Sequence, residues 1–454
     1  MQGDVLSCRY AVLALGALSI NPAFHDMLMC STKNASLIGK LIDAKDMETS
    51  MYCCFALSKF SSNEKNMLLM DGCLIGALIR LIDVADDRNI CTQCVSALRK
   101  LSLKPMNRRT LVDESGLATL NALSCIGDQD ILREVVACFF YLSQTKELVH
   151  VLIGCQVIHP IEIILTKRDV ESLKMAVGTL ANMAEVCSAD EILRTESEIF
   201  PSLCSLIKHP SLAVKREASR AIANLLSYES AHVMLKAVNG IAKLSFLAKI
   251  KDIDCASNVS LCFWKLAANS FNHEDLMTER YFQTLLELAT FSHIETRRMS
   301  AAALLNLSHN EIQRCAVANK GGLRVATALL SDDDGVVRIS AAQILYQLSL
   351  SVRIKNAMVQ DVVTEKLIQN LREITEVDFV QVCVSVLVNL SVDSENQCKL
   401  VQMGLMSPLI GLAYHENAHI RHDVASIFCY MSTQPKHRDG VFSENHFKAM
   451  HNQG

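Results

Sequence analysis

Two short motifs in this 454-residue chain have residue types and spacing that could do chemistry. His415-Glu416-Asn417-Ala418-His419 fits the H-E-x-x-H pattern, in which one helix sets two imidazoles on the same face to hold zinc while the Glu acts as general base. Cys91-Thr92-Gln93-Cys94 has the C-x-x-C spacing of a redox or metal-binding pair. Each pattern works only on the right element: the first needs an unbroken helix, the second a strand leading into a redox turn. No phosphate-cradling glycine loop, carboxylate acid/base pair or nucleophile elbow accompanies them. Which elements hold these residues is answered by the periodicity of the chain.

An apolar residue, usually followed by Ser or Ala, recurs at Leu18, Phe60, Leu101, Leu142, Met183, Leu225, Leu266, Leu307, Leu348, Leu390 and Met431, with successive anchors 41 or 42 residues apart. Three positions earlier stands a large apolar residue each time: Leu15, Leu57, Leu98, Phe139, Leu180, Ile222, Phe263, Leu304, Leu345, Leu387 or Phe428. Six and seven positions earlier the residues are small or β-branched, as at Val12, Cys54, Val95, Ala301, Ala342 and Ala425. Offsets of 0, −3 and −7 trace one face of an α-helix. Each period therefore ends in a long helix whose tall residues enter a core and whose small ones let a neighbour approach.

The prolines test the phase independently, because Pro suits the first turn of a helix and damages its interior. Pro22, Pro105 and Pro435 lie four residues after an anchor, and Pro160, Pro201 and Pro408 lie eighteen after. They mark the starts of a short and a medium helix between successive long ones, with the short helix often closed by Gly, as at Gly72, Gly116, Gly154, Gly240, Gly322 and Gly404. Asp332-Asp333-Asp334-Gly335 is the clearest turn into a long helix. In this register His415 to His419 fall in such a turn, which cannot supply the zincin geometry, and Cys94 falls in the small-residue core row. No metal and no cofactor is expected.

Composition narrows the remaining functions. A formal charge of −4 gives no global field for nucleic acid or an anionic membrane. Eighteen cysteines scattered without a framework through a long apolar chain suit reduced, buried thiols in a cytosolic protein, with the nucleus also open. Ala11 to Ser19 has the look of a short signal-peptide core, but the repeat phase accounts for the same residues. No stretch reaches the roughly 20 apolar residues of a membrane span, so direct membrane insertion is not expected. The sequons at Asn258, Asn306 and Asn389 are by-products of the repeat.

Ala301-Ala302-Ala303-Leu304-Leu305-Asn306-Leu307-Ser308 resembles the signature of the armadillo third helix, and Val384 to Ser391, Ala221 to Leu226 and Thr179 to Ala184 are similar to it. The resemblance covers essentially the whole chain. It implies an all-α, right-handed superhelical α-solenoid with three helices per repeat. The expected organisation is a lone third helix over residues 1–20, ten repeats at about 21–61, 62–102, 103–143, 144–184, 185–226, 227–267, 268–308, 309–349, 350–391 and 392–432, and a truncated repeat or tail over 433–454. A chain that starts and stops within a repeat exposes stacking faces. It is therefore expected to be a fragment of a longer protein or to have its ends covered in an assembly.

In this family the groove lined by third helices receives an extended or helical segment of another protein. The residue just before the anchor is, by the resemblance, the Asn that hydrogen-bonds a bound peptide. Here that row includes Lys59, Lys100, Tyr141, Asn182, Asn224, Lys265, Asn306, Gln347 and Asn389. Such an Asn can alternatively cap its own helix. Four positions earlier, Phe55 and Arg220 occupy the row where importin α carries its Trp ladder, but this row has no Trp, and Trp264 is expected off the groove face. Tyr10, Tyr52 and Phe55 with Lys59 and Lys100 form an early section suited to acidic partner segments, in the manner of β-catenin. Bases nine before the anchor, Arg9, Arg133, Lys174, Arg216 and Arg298, are expected to pair with acids of the adjacent repeat. The implied function is a non-enzymatic scaffold that binds protein partners. The alternative is a nuclear-transport or membrane-tethered adaptor of the importin α or vacuolar armadillo type; Met1-Gln2-Gly3 does not place Gly for myristoylation.

Overall fold

The computed structural model describes residues 5–30, 32–43, 46–63, 65–66, 70, 72–193, 198–360 and 362–432. The expected features around Met1 to Gly3 and over 433–454, including Pro435, lie outside the described residues. The described chain is all α-helical in character and forms two compact units, Met1–Met234 and Leu235–Gly454.

Eleven long helices carry the anchors in their last turns. In the first unit they are α1 (Val5–Ser19), α2 (Met47–Phe60), α3 (Arg88–Leu101), α4 (Gln129–Ser143), α5 (Val170–Val186) and α6 (Leu212–Leu225). The second unit holds α7 (Ile253–Ala267), α8 (Ile294–His309), α9 (Gly335–Ser349), α10 (Val377–Ser391) and α11 (Ala418–Ser432). Within each unit every long helix packs on the next. A short and a medium helix intervene, as in Pro105–Asp113 and Gly116–Ser124 before α4. Pro105 opens its helix, and Pro160, Pro201 and Pro408 each sit in the first turn of a medium helix, where no intrahelical N–H is lost.

The core follows the −3 row: Leu57, Leu98, Phe139, Leu180, Ile222, Leu304, Leu345 and Leu387 are fully buried. Small residues beside them, such as Cys54, Ala301 and Ala342, are equally buried and let successive helices approach. The terminal helices depart from this. Leu18 is 40% exposed and Leu15 half-buried, because among the described residues no helix packs on the outer side of α1.

Two of the medium helices share one kind of entry. Ser115 and Asn239 adopt left-handed φ of 66° and 51°, and a glycine follows each. A Cβ at Gly116 would stand 2.5 Å from the Leu111 carbonyl, and one at Gly240 would stand 2.2 Å from Leu235 Cδ1. The glycines are there because the short helix passes too close for a side chain.

The row of bases staples neighbouring repeats. Arg9 pairs with Asp46 and Glu48, Arg133 with Asp169 at 3.2 Å, and Arg298 with Asp334 at 2.7 Å. Asp46, Asp169 and Asp334 are themselves the N-caps of α2, α5 and α9, accepting from backbone N–H groups of the first turn. One carboxylate thus satisfies a helix end and receives a guanidinium from the preceding repeat. The Arg298 hydrogen bond holds the Asp334 carboxyl below its ordinary range, whereas at Asp169 the Ser172 hydroxyl contributes most, ahead of Arg133. Lys174 is a correction to the expected pattern: its ammonium meets Glu171 in the first turn of its own helix, 3.2 Å away.

Candidate functional site

The row before the anchors lies along the long helices mostly at intermediate exposure in both units, with Ala17, Lys59 and Tyr430 exposed. Its amides reach backwards. Asn182 Nδ2 donates to Ser143 Oγ at 2.9 Å, Asn224 Nδ2 to the Ala181 carbonyl at 2.9 Å and Asn389 Nδ2 to Ser349 Oγ at 2.9 Å. Each crosses to the end of the preceding long helix rather than capping its own. Such a bond fixes the stagger of two helices and leaves the carbonyl oxygens of Asn224 and Asn389 as acceptors. Asn306 is half-buried and makes no side-chain bond among the described residues. Gln347 Oε1 accepts from Arg314 at 3.4 Å.

In the first unit the structure gathers an apolar cleft of about 550 Å³ from Leu13, Gly16 and Ala17 of α1 with Ile20 just after it, from Met51, Tyr52 and Phe55 of α2, and from Asn89 and Gln93 of α3. Tyr10 is 65% exposed on α1 but does not line it. Lys59 Nζ stands 5.1 Å from the Phe55 ring centroid, a cation–π contact that keeps the ammonium at the cleft edge. One repeat on, Lys100 Nζ donates to the Ser58 carbonyl at the end of α2. Burial and then the positive charges of Arg99 and Lys59 lower the Lys100 pKa. Among the described residues neither lysine forms a contact ion pair: Glu134, whose charge also reaches Lys100, is taken by Arg99 at 2.5 Å. The result is local positive charge beside an apolar slot.

Further along this unit Tyr141 packs edge-on against Phe140, with ring centroids 5.5 Å apart. Arg220 does not stand free: it pairs with Glu217 at 2.7 Å and donates to Asn182 Oδ1 at 2.9 Å. Asn182 and Arg220 are therefore brought together into one polar network with Ser143.

The second unit has a different lining. Leu305 and His309 of α8, Gln343, Tyr346 and Gln347 of α9, and Gln381, Val382 and Ser385 of α10 form a cleft of about 470 Å³. Three Gln side chains give it donors and acceptors without charge. Ser385 Oγ donates to Asp423 at 2.6 Å. Lys265 on α7 is half-buried, and burial lowers its pKa.

This cleft corrects the placement of Trp264. Leu305 and Tyr346 lie two positions before their anchors and line the cleft. Trp264 has the same offset and is 36% exposed, so its row belongs to the groove face. Met51, Asn89, Gln93, Tyr346 and Gln381 were also missed from sequence. The signal was present, since offsets −12, −9, −8, −5, −2 and −1 share one side of a helix with a period of 3.6 residues.

The two motifs with catalytic spacing are placed by the same geometry. His415 to Asn417 lie in the turn before α11, whose first residue is Ala418, so the two histidines do not share a helix face. Cys94 Sγ is 3.4 Å from Cys54 Sγ in the core, and burial, followed by the nearby charge of Asp87, raises the Cys91 thiol above its ordinary range. Thiols so desolvated are poor nucleophiles.

Paired grooves on stacked three-helix repeats define an armadillo-type α-solenoid, a class built to present long surfaces to other proteins. A family model described as kinesin-associated protein (KAP) matches residues 224–450, half of the chain, and the chain belongs to that family. No curated protein matches the chain. Among solved structures, a chain from work on a conserved phosphorylation switch controlling the interaction between cadherin and β-catenin superposes with a TM-score of 0.76 at 13% identity, covering 95% of this chain and 92% of its own. An engineered protein gives a TM-score of 0.74 at 19% identity over 87% of this chain and 98% of its own. These likenesses carry the fold.

Proposed function

We propose that this protein is a non-enzymatic scaffold of the cell interior that binds segments of other proteins along its long-helix grooves, a kinesin-class motor among them. The observation that carries the reading is the first-unit cleft, an apolar slot with Lys59 on its Phe55 ring and Lys100 nearby on the Ser58 carbonyl, neither in a contact ion pair among the described residues. It suits a segment that brings an aromatic or aliphatic side chain with acidic residues beside it. The kinesin assignment rests on the family match over residues 224–450.

The test is fluorescence anisotropy with acidic, aromatic-bearing peptides and co-purification with a kinesin chain, comparing wild type with the double variant Lys59→Glu, Lys100→Glu. Peptide affinity is expected to fall by about tenfold or more in the double variant, with Gln343→Ala unchanged. Equal affinity in wild type and double variant would remove the acidic-segment reading, and failure of any kinesin chain to co-purify would remove the motor.

A further inference from the structure

We propose that His150, Cys187 and Glu191 form a zinc-binding site at the joint between two successive repeats of the first unit. The potential ligand atoms of these three side chains all lie within 4.8 Å of one another, and His150 Nδ1 is 3.3 Å from Cys187 Sγ. Zinc bonds of about 2.3 Å to sulfur and about 2.0–2.1 Å to nitrogen, opened to a tetrahedral angle, require N and S about 3.5 Å apart. The pair already stands close to that spacing.

The donor set selects the metal. One imidazole, one thiolate and one carboxylate are unsuited to Ca²⁺ and Mg²⁺, which take oxygen ligands, and match the mixed preference of Zn²⁺. His150 and Glu191 are exposed while Cys187 is 1% exposed. A metal ion here would sit at the rim with solvent as its fourth ligand, and binding would release the thiol proton to solvent.

Three elements deliver the ligands. His150 is on the short helix Val149–Gly154, Cys187 directly follows α5, and Glu191 lies on the next short segment, Ala189–Ile192. The joint is already held one turn away by Lys146 and Glu185, 2.6 Å apart. Ser188 Oγ donates to Glu191 Oε1 at 2.9 Å, an outer partner that orients the carboxylate. Comparable joints hold other chemistry: Lys65 pairs with Asp26 at one, and Cys315 meets Ser351 at another. Among the described residues only this joint brings three such donors together.

The test uses Co²⁺ as a spectroscopic stand-in for zinc on the purified full chain, followed by displacement with Zn²⁺. One equivalent of Co²⁺ is expected to produce a thiolate-to-cobalt charge-transfer band that Zn²⁺ abolishes, and Zn²⁺ should raise the unfolding temperature. Cys187→Ser should remove the band, His150→Ala and Glu191→Gln should each weaken binding by about tenfold or more, and Cys125→Ser should change nothing. Absence of the band in the wild type, or its survival in Cys187→Ser, overturns the proposal. Should Cys187→Ser fail to fold by circular dichroism, the exposed positions decide: Co²⁺ affinity unchanged in both His150→Ala and Glu191→Gln overturns it.

Discussion

The clefts of the two units occupy the same faces of equivalent long helices and offer opposite chemistry. In the first unit Met51, Tyr52 and Phe55 make an apolar slot with ammonium groups at its edge, and in the second Gln343, Gln347 and Gln381 make a neutral, hydrogen-bonding one. Backbone and register are shared, so the difference lies in side chains at a few offsets from the anchor. A solenoid can therefore change what one stretch recognises without disturbing the packing beneath it.

The largest effect expected from breaking this contrast comes from below the surface. Phe139 is fully buried in α4, and Phe139→Ala should cost about 3–5 kcal/mol. Chemical denaturation should register the loss, and peptide binding to the first-unit cleft should fall while the second-unit cleft keeps its ligand. Ionic strength separates the clefts more gently. Raising salt from low to high should weaken first-unit peptide binding roughly three- to tenfold and leave a neutral second-unit ligand nearly unaffected, because only the lysine-edged slot depends on screened charge. Equal salt slopes would erase the distinction.

Smaller effects come from the joints that both units share. Asp334 caps α9 and receives Arg298, so Asp334→Ala should cost about 1 kcal/mol in denaturant unfolding at neutral pH. The Arg298 hydrogen bond depresses the folded-state pKa of Asp334. Its contribution is therefore fully present above the unfolded carboxylate value of about 4 and is lost as pH falls through the lower folded value. The variant and wild type should converge in stability as acid is added. Least of all, Asn389→Ala removes one part-buried amide-to-Ser349 bond and should cost about 0.5 kcal/mol, measured by the same unfolding titration.

Much of the fold was legible because the repeat sets an angular position for every residue. The 41–42 residue phase places Leu98, Phe139 and Leu304 in the core, Pro105 at a helix start and His415 in a turn, and the structure agrees at each. The pairing of Arg9, Arg133 and Arg298 with the next repeat followed from the same register. What angle alone does not supply is the axial offset between successive helices. That offset decides that Asn182, Asn224 and Asn389 reach back to Ser143, Ala181 and Ser349 instead of capping their own ends. It also turns Lys100 onto the Ser58 carbonyl. Trp264 was misplaced for a simpler reason: the groove face is broader than the two rows first assigned to it, and the row two before the anchor belongs to it as well.

The arginine staple bears on how such a chain changes length. Its halves sit 36 or 37 residues apart, the guanidinium at Arg9, Arg133 or Arg298 and the carboxylate at Asp46, Asp169 or Asp334 of the following repeat. Any duplicated block of one full period that carries both halves brings an acid to receive the arginine before it and an arginine to offer the acid after it. Where the joined repeats carry both halves, a gain or loss of one whole period would rejoin with matched charges and a capped helix at the seam. Insertions of any other length would strand one half. At these three joints the pair stays opposed only when the length between its halves is kept.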